Sequence, residues 1–166
     1  MEIDGGLGSE ATVSDVLHFV EGLLEGELNR VANMANVSAL LYEYLEEINW
    51  VGFYIAEARS GDFVLGPFVG RPACTRISPP RGVIGTSVQS AKTLIVDDVL
   101  QFPEHIACDA ASRSEIVVPI IVDRRVVAVI DVDSPQFSRF TVEHRTMLEA
   151  IAQKLATRWH SMQEYW

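Results

Sequence analysis

Hydrophobic residues recur every three or four positions in the first third of the chain, every one or two through the middle, and every three or four again at the end. Val16, Leu17, Val20 and Leu24 share one helical face, and Ser14 with Asp15 is placed to cap a helix running to about Glu25. Gly26 weakens its continuation. Leu28, Val31, Met34, Ala35, Leu41 and Leu45 predict a second helix from Glu27 to Tyr44, interrupted or bent near Asn36. After Asn49 the pattern turns β-branched and aromatic. Trp50 to Ile55 and Phe63 to Phe68, separated by Ser60-Gly61-Asp62, predict a hairpin. Ala73 to Ile77 predicts a third strand that Pro79 and Pro80 break, Gly82 to Ser90 a short helix, and Thr93 to Val96 another strand. Glu115 to Val122 and Arg125 to Val132, joined at Asp123-Arg124, form the clearest hairpin and predict two central strands. Pro119 counts against this, because proline removes a ladder donor. Thr141 opens a last helix with Met147, Leu148, Ile151, Leu155 and Trp159 on one stripe. The order of helices, about six strands with an inserted helix and loop, and a final helix is that of an α+β chain with no internal repeat or linker.

Composition changes this picture little. A chain of 166 residues, 48% hydrophobic and 22% charged, is long enough to bury roughly 70% of its unfolded surface in one domain. The Gly-rich, acidic opening predicts a flexible tail over residues 1–13, with the folded domain spanning 14–166. A net charge of −10 with scattered Lys and Arg argues against nucleic acid as a partner, since phosphate binding needs clustered cations. No apolar run approaches the roughly 18 residues of a membrane span, and the start MEIDGGLGSE lacks the basic segment of a signal peptide. The expectation is a soluble, cytoplasmic protein. In that compartment two cysteines are more often catalytic, metal-binding or buried than a permanent staple.

One segment obeys neither period. From Asp97 to Ser114 the chain is irregular, too long for an ordinary connection and too apolar for disorder, and it carries Cys108 in the run Glu104-His-Ile-Ala-Cys-Asp-Ala-Ala-Ser-Arg-Ser-Glu-Ile116. A structural cysteine more often lies among β-branched neighbours. A thiolate here has His105 and Arg113 as nearby cations and Asp109 opposing them. Cys74, the other cysteine, lies in Pro72-Ala-Cys-Thr-Arg76 and can equally be a small buried hydrophobe. If Cys108 comes near, Cys74 can attack an oxidised Cys108 and close a disulfide that cellular dithiols reduce. Glu115 opens one predicted strand while Asp131 and Asp133 close its hairpin partner, and residues two apart share a face. Three carboxylates at one sheet end repel unless a cation or a shared proton relieves them. The cluster therefore reads as a solvated strand end, or as a pocket for an ammonium group or a metal ion with one carboxyl kept protonated. No bound metal is expected, because the four histidines lack ligand spacing with the cysteines. His144 and His160 read as surface residues. Trp50, Phe53 and Tyr54 read as core, with Trp50 also placed to line a pocket.

The runs Ser38-Ala-Leu-Leu-Tyr42, Ile48-Asn-Trp-Val-Gly-Phe-Tyr54, Leu65-Gly-Pro-Phe68, Arg81-Gly-Val83, His105-Ile-Ala-Cys-Asp-Ala-Ala-Ser112, Ser114-Glu-Ile-Val117 and Asp131-Val-Asp-Ser134 closely resemble the free methionine-R-sulfoxide reductases, over about residues 28 to 160. The resemblance implies a single GAF domain, an about six-stranded antiparallel sheet with the N- and C-terminal helices packed on one face. It implies reduction of free methionine-(R)-sulfoxide with Cys108 as nucleophile and Cys74 resolving its sulfenic acid. It places the family's acidic trio on Glu115, Asp131 and Asp133, with Glu115 catalytic, and its aromatic pocket on Trp50 and Tyr54. No bound cofactor is implied. The expected partners are the free amino acid, a thioredoxin-like reductant fed by NADPH, and a second copy in a homodimer. Many relatives carry a third cysteine where this chain has Ile84, which leaves Cys74 as the intramolecular resolver. The rival expectation is a GAF sensory module that binds a small ligand or cyclic nucleotide without chemistry.

Overall fold

The computed structural model describes residues 11–103 and 110–163. Four helices, α1 (Val13–Leu24), α2 (Arg30–Tyr44), α3 (Gly82–Ser90) and α4 (Val142–Arg158), accompany six strands: β1 (Trp50–Ala56), β2 (Phe63–Gly70), β3 (Arg76–Ile77), β4 (Leu94–Val96), β5 (Ser114–Val122) and β6 (Arg125–Ser134). The strands make one antiparallel sheet in the order β3-β2-β1-β6-β5-β4.

Helix starts follow local capping. Thr12, not Ser14, caps α1: its Oγ1 accepts from Asp15 N–H while the Asp15 carboxylate accepts from Thr12 N–H at 2.8 Å, a reciprocal box. Asn29 caps α2 by accepting from Ala32 N–H at 3.0 Å. Contrary to expectation α2 runs unbroken through the exposed Asn36. Its buried stripe is Met34, Val37, Leu40 and Leu41, interleaved with buried Asn33 and Ser38 that disguised the period, while Ala35 and Leu28 face solvent. Those polar residues are satisfied: Asn33 Nδ2 donates to Glu27 O at 3.1 Å and Ser38 Oγ to Met34 O at 2.8 Å.

The predicted hairpins form with small irregularities. Asp123 and Arg124 both take positive φ (50° and 64°), as a two-residue turn matched to strand twist requires. Between the pairs Gly52 with Phe68 and Tyr54 with Leu65, β2 carries one extra residue, so Pro67 falls at a bulge rather than in a regular ladder. Pro119 pairs with Val129 on β6, but β4 reaches only Val117, so its outer side lies beyond the short edge strand. The third strand is shorter than predicted, Arg76–Ile77 in place of Ala73 to Ile77.

Strand alternation divides the side chains between two faces. Val51, Phe53, Ile116, Val118, Ile120, Ala128, Ile130 and Val132 pack under α1, α2 and α4 in the main core. At roughly 1.5–3 kcal/mol for each large side chain buried, that helical side supplies most of the stability. Arg30 joins the end of α4 to the start of α2, lying 4.0 Å from the Trp159 ring centroid and donating to Trp159 O at 3.0 Å. On the opposite face Trp50, Tyr54, Val117 and Val129 meet Ile77 and the Val83 and Ile84 side chains of α3. This smaller side leaves room for a cleft.

Candidate active site

The cleft is built from strand register. Trp50 stands opposite Asp133 on β6, and Asp133 opposite Glu115 on β5, so the three form one row across the sheet; Gly52, Asp131 and Val117 form the next. Side chains in facing positions lie close enough to interact. Glu115, Asp131 and Asp133 each offer an oxygen within 4.8 Å of the others, with Glu115 and Asp131 buried and Asp133 half-buried. Five of the expected site residues, Trp50, Tyr54, Glu115, Asp131 and Asp133, thus line one cleft, closed by residues 71–73, Ile77, Ser112 and the start of α3.

Trp50 lies flat because two glycines allow it. A Cβ on Gly52 would come 2.7 Å from Trp50 Cη2 and 2.4 Å from Phe68 Cβ, and one on Gly70, at φ +139°, would come 2.5 Å from Trp50 Cδ1. The indole stacks on Phe68 with ring centroids 5.3 Å apart and on Tyr54 at 6.0 Å. Its Nε1 donates to Arg71 O at 3.1 Å, and Tyr54 Oη donates to Cys74 O at 2.9 Å.

Burial raises the Glu115 carboxyl well above the usual carboxylate range, and the Asp133 charge adds to this. Burial likewise raises Asp131, followed by the Glu115 charge. A carboxyl–carboxyl hydrogen bond favours the proton on Asp131 and the charge on Glu115. The two carboxyls therefore favour holding one proton between them. Asp131 Oδ1 is buried without a hydrogen-bond partner among the described residues, an arrangement that costs free energy unless a donor arrives from the cleft. Tyr54 is also raised, by burial and then by the three acids, and stays a donor at any working pH.

The opposite wall offers the reverse polarity. Arg81, at the N-cap of α3, provides no side-chain cap. Gly82, Val83 and Ile84 line the cleft there, so the first N–H groups of a helix, which have no intrahelical partner, border it. Sequence reading overlooked this helix start as part of the cleft, and its missing polar N-cap was the available signal. Ser112, also overlooked, is buried in the wall and accepts from Asn49 Nδ2 at 3.2 Å.

Cys74 is half-buried beside the cleft and disulfide-bonded. Cys108, with His105 and Asp109, lies outside the described residues. Arg113, read as a cation near that thiol, donates to Ala110 O at 2.8 Å and Ser112 O at 3.0 Å. His160 is exposed and lies 2.9 Å from Asp123. His144, expected on the surface, is half-buried at the start of α4, where its Nδ1 accepts from Thr141 N–H at 3.0 Å.

The antiparallel sheet carries α1, α2 and α4 on one face and an acid-floored cleft walled by α3 on the other, and the GAF domain family matches residues 20–159. The Bacillus subtilis protein YtsP is 50% identical over 140 residues, covering 84% of this chain and 86% of its own. The Escherichia coli free methionine-R-sulfoxide reductase is 46% identical over 142 residues, covering 86% and 85%. The X-ray structure of free methionine-R-sulfoxide reductase from Neisseria meningitidis in complex with its substrate superposes with a TM-score of 0.91 at 39% identity, covering 97% of each chain. The chain belongs to the GAF domain family and, within it, to the free methionine-R-sulfoxide reductases.

Proposed function

We propose that the protein reduces free methionine-(R)-sulfoxide to methionine at this cleft. One observation carries the reading: a buried acid pair with an unpartnered oxygen, at the floor of an aromatic cleft that has an uncapped helix start on its far wall and an oxidised Cys74 at its side. A free amino acid satisfies both poles. Its ammonium group donates to Asp131 and Asp133, its carboxylate accepts from the first N–H groups of α3, and its methyl end lies against Trp50 and Tyr54. A methionine inside a peptide has neither charged group, and so lacks both anchors.

Cys108 is the nucleophile. Its thiolate attacks the sulfoxide sulfur and an S–S bond forms, while Glu115 relays the proton held with Asp131 to the sulfoxide oxygen. The hydroxyl then moves to Cys108 Sγ as the S–O and S–S bonds to the substrate sulfur break, which leaves Cys108 as a sulfenic acid and releases methionine as the thioether. Cys74 then forms a disulfide with Cys108, water departs, and a thioredoxin-like dithiol reduces the bond. The chain holds only two cysteines, and Ile84, buried in the cleft wall, leaves no thiol at the position where relatives have a third. The reaction needs no bound cofactor. The working protein is a cytoplasmic homodimer in this proposal.

The test is a coupled assay with thioredoxin, thioredoxin reductase and NADPH on both epimers of free methionine sulfoxide. Turnover of the R epimer with the S epimer inert is the expected result. Turnover of the S epimer alone, or of neither, would sink the proposal, and a dispensable Cys108 would favour a sensory module.

A further inference from the structure

Trp50 and Tyr54 line the cleft with their rings, but their polar ends point past it to the backbone that carries Cys74. Tyr54 Oη donates to Cys74 O at 2.9 Å, and Trp50 Nε1 donates to Arg71 O at 3.1 Å. That backbone is irregular. The ladder between β2 and β3 covers only Phe63 with Ile77 and Val64 with Arg76, extended by one bond from Leu65 N–H to Thr75 O at 3.0 Å. Ahead of it, side chains from the central strand β1 brace a segment that has no ladder to hold it. A phenylalanine at position 54 would fill the same buried space. The phenol therefore adds a directed hydrogen bond rather than volume, at the one residue of the segment that does redox chemistry.

We propose that Tyr54, supported by Trp50, is a positioning residue for the resolving half-reaction: its phenol holds the Cys74 peptide where the Cys74 sulfur reaches the sulfenic acid on Cys108. The inference rests on the reading of Cys74 as resolver. In that step the Cys74 thiolate attacks Cys108 Sγ, the S–S bond forms, the S–OH bond breaks, and hydroxide takes a proton and leaves as water. Cys74 is oxidised and the sulfenic sulfur reduced, with no outside oxidant. Such an intramolecular displacement gains its rate from alignment, which a mobile peptide forfeits. Tyr54 stays protonated throughout, because burial and the three acids hold its proton in place.

Tyr54→Phe isolates the hydrogen bond, since the ring that stacks on Trp50 is retained. In single-turnover experiments without external reductant, loss of both free thiols should slow about five- to tenfold more than methionine release does, the factor set by one net hydrogen bond. Dimedone should trap more sulfenic acid, and with thioredoxin kcat should fall by a larger factor than kcat/KM. A general loss of structure would not produce this split. Disulfide closure at the wild-type rate, or methionine release slowed as much as closure, would overturn the proposal. If Tyr54→Phe does not fold, Trp50→Phe must show the same split, more weakly, and its absence is equally fatal. Cys74→Ser separates the two readings, because sustained turnover with thioredoxin in that variant would remove the resolver assignment whatever Tyr54 does.

Discussion

Replacing Asp131 by asparagine should make the protein more stable and less active, with both changes traceable to one carboxyl group. Asp131 is 5% exposed, shares a proton with Glu115, and leaves Oδ1 unpartnered. Because burial raises its pKa, the folded state binds more protons than the unfolded chain between about pH 4, where an exposed aspartate titrates, and the raised folded value. Wild-type stability is therefore greatest below that window and declines as pH rises through it. Asparagine has the same shape and no charge to bury, so its advantage should be small near pH 5 and grow toward about pH 8.5. Each unit by which folding raises a carboxyl pKa costs about 1.4 kcal/mol above the folded value, and relief of about 1–2 kcal/mol would raise Tm by about 2–8 °C in a domain of this size. A shallower slope remains from Glu115, which is raised for the same reason. Activity moves the other way. Losing the carboxyl that shares the catalytic proton and can give it up to become a charged partner for the substrate ammonium costs about 1.5–3 kcal/mol, or about 10- to 150-fold in kcat/KM. Thermal unfolding across pH and the coupled NADPH assay measure the two effects. A stability gain that is larger in acid than in base, or wild-type kcat/KM, would refute the reasoning.

Cys74→Ser should release one methionine per site and then stall with thioredoxin, a small thiol restoring turnover; product counting in a quenched reaction checks this. Glu115→Gln removes the proton donor and should lower kcat at least about 100-fold, the scale of general-acid catalysis, against full activity if the acids only fill space. Gly52→Ala should cost about 1–3 kcal/mol as an overpacked site, since the new methyl meets the Phe68 backbone and the Trp50 ring; denaturant unfolding reads the loss and the displaced indole should raise KM. Arg30→Lys should destabilise by about 1–3 kcal/mol, because an ammonium group cannot both cover the Trp159 ring and reach the carbonyl at the end of α4; urea midpoints test it.

Local rules were enough to place most elements. The apolar, β-branched run from Glu115 to Val132 is split by Asp123-Arg124, so the hairpin and the meeting of Glu115 with Asp131 and Asp133 were written in adjacent residues, while the register shift between Ile120 and Ile121 was not. The helical stripe from Met147 to Trp159 was equally plain. Errors arose where hydrogen bonds satisfy what a hydrophobic count leaves open. The break expected near Asn36 is absent, because the buried polar residues Asn33 and Ser38 on either side of it donate to Glu27 O and Met34 O and interrupt only the apolar pattern. Residues 73–75 looked like strand and are not, because the aromatic side chains of β1 replace their ladder.

The chemical cast was therefore a property of the chain alone: two cysteines, three acids at the ends of one hairpin, and an aromatic opening to the first strand. Their assembly belonged to the three-dimensional structure. Trp50 reaches the acids because β1 inserts beside β6, a pairing between residues far apart in sequence. The helix start opposite them comes from α3, whose position depends on packing against β5 and β6 rather than on any motif. Proton sharing between Glu115 and Asp131 has the same origin, since their carboxyls hold a proton more tightly once folding has removed the water that would solvate the charge and brought the acids together.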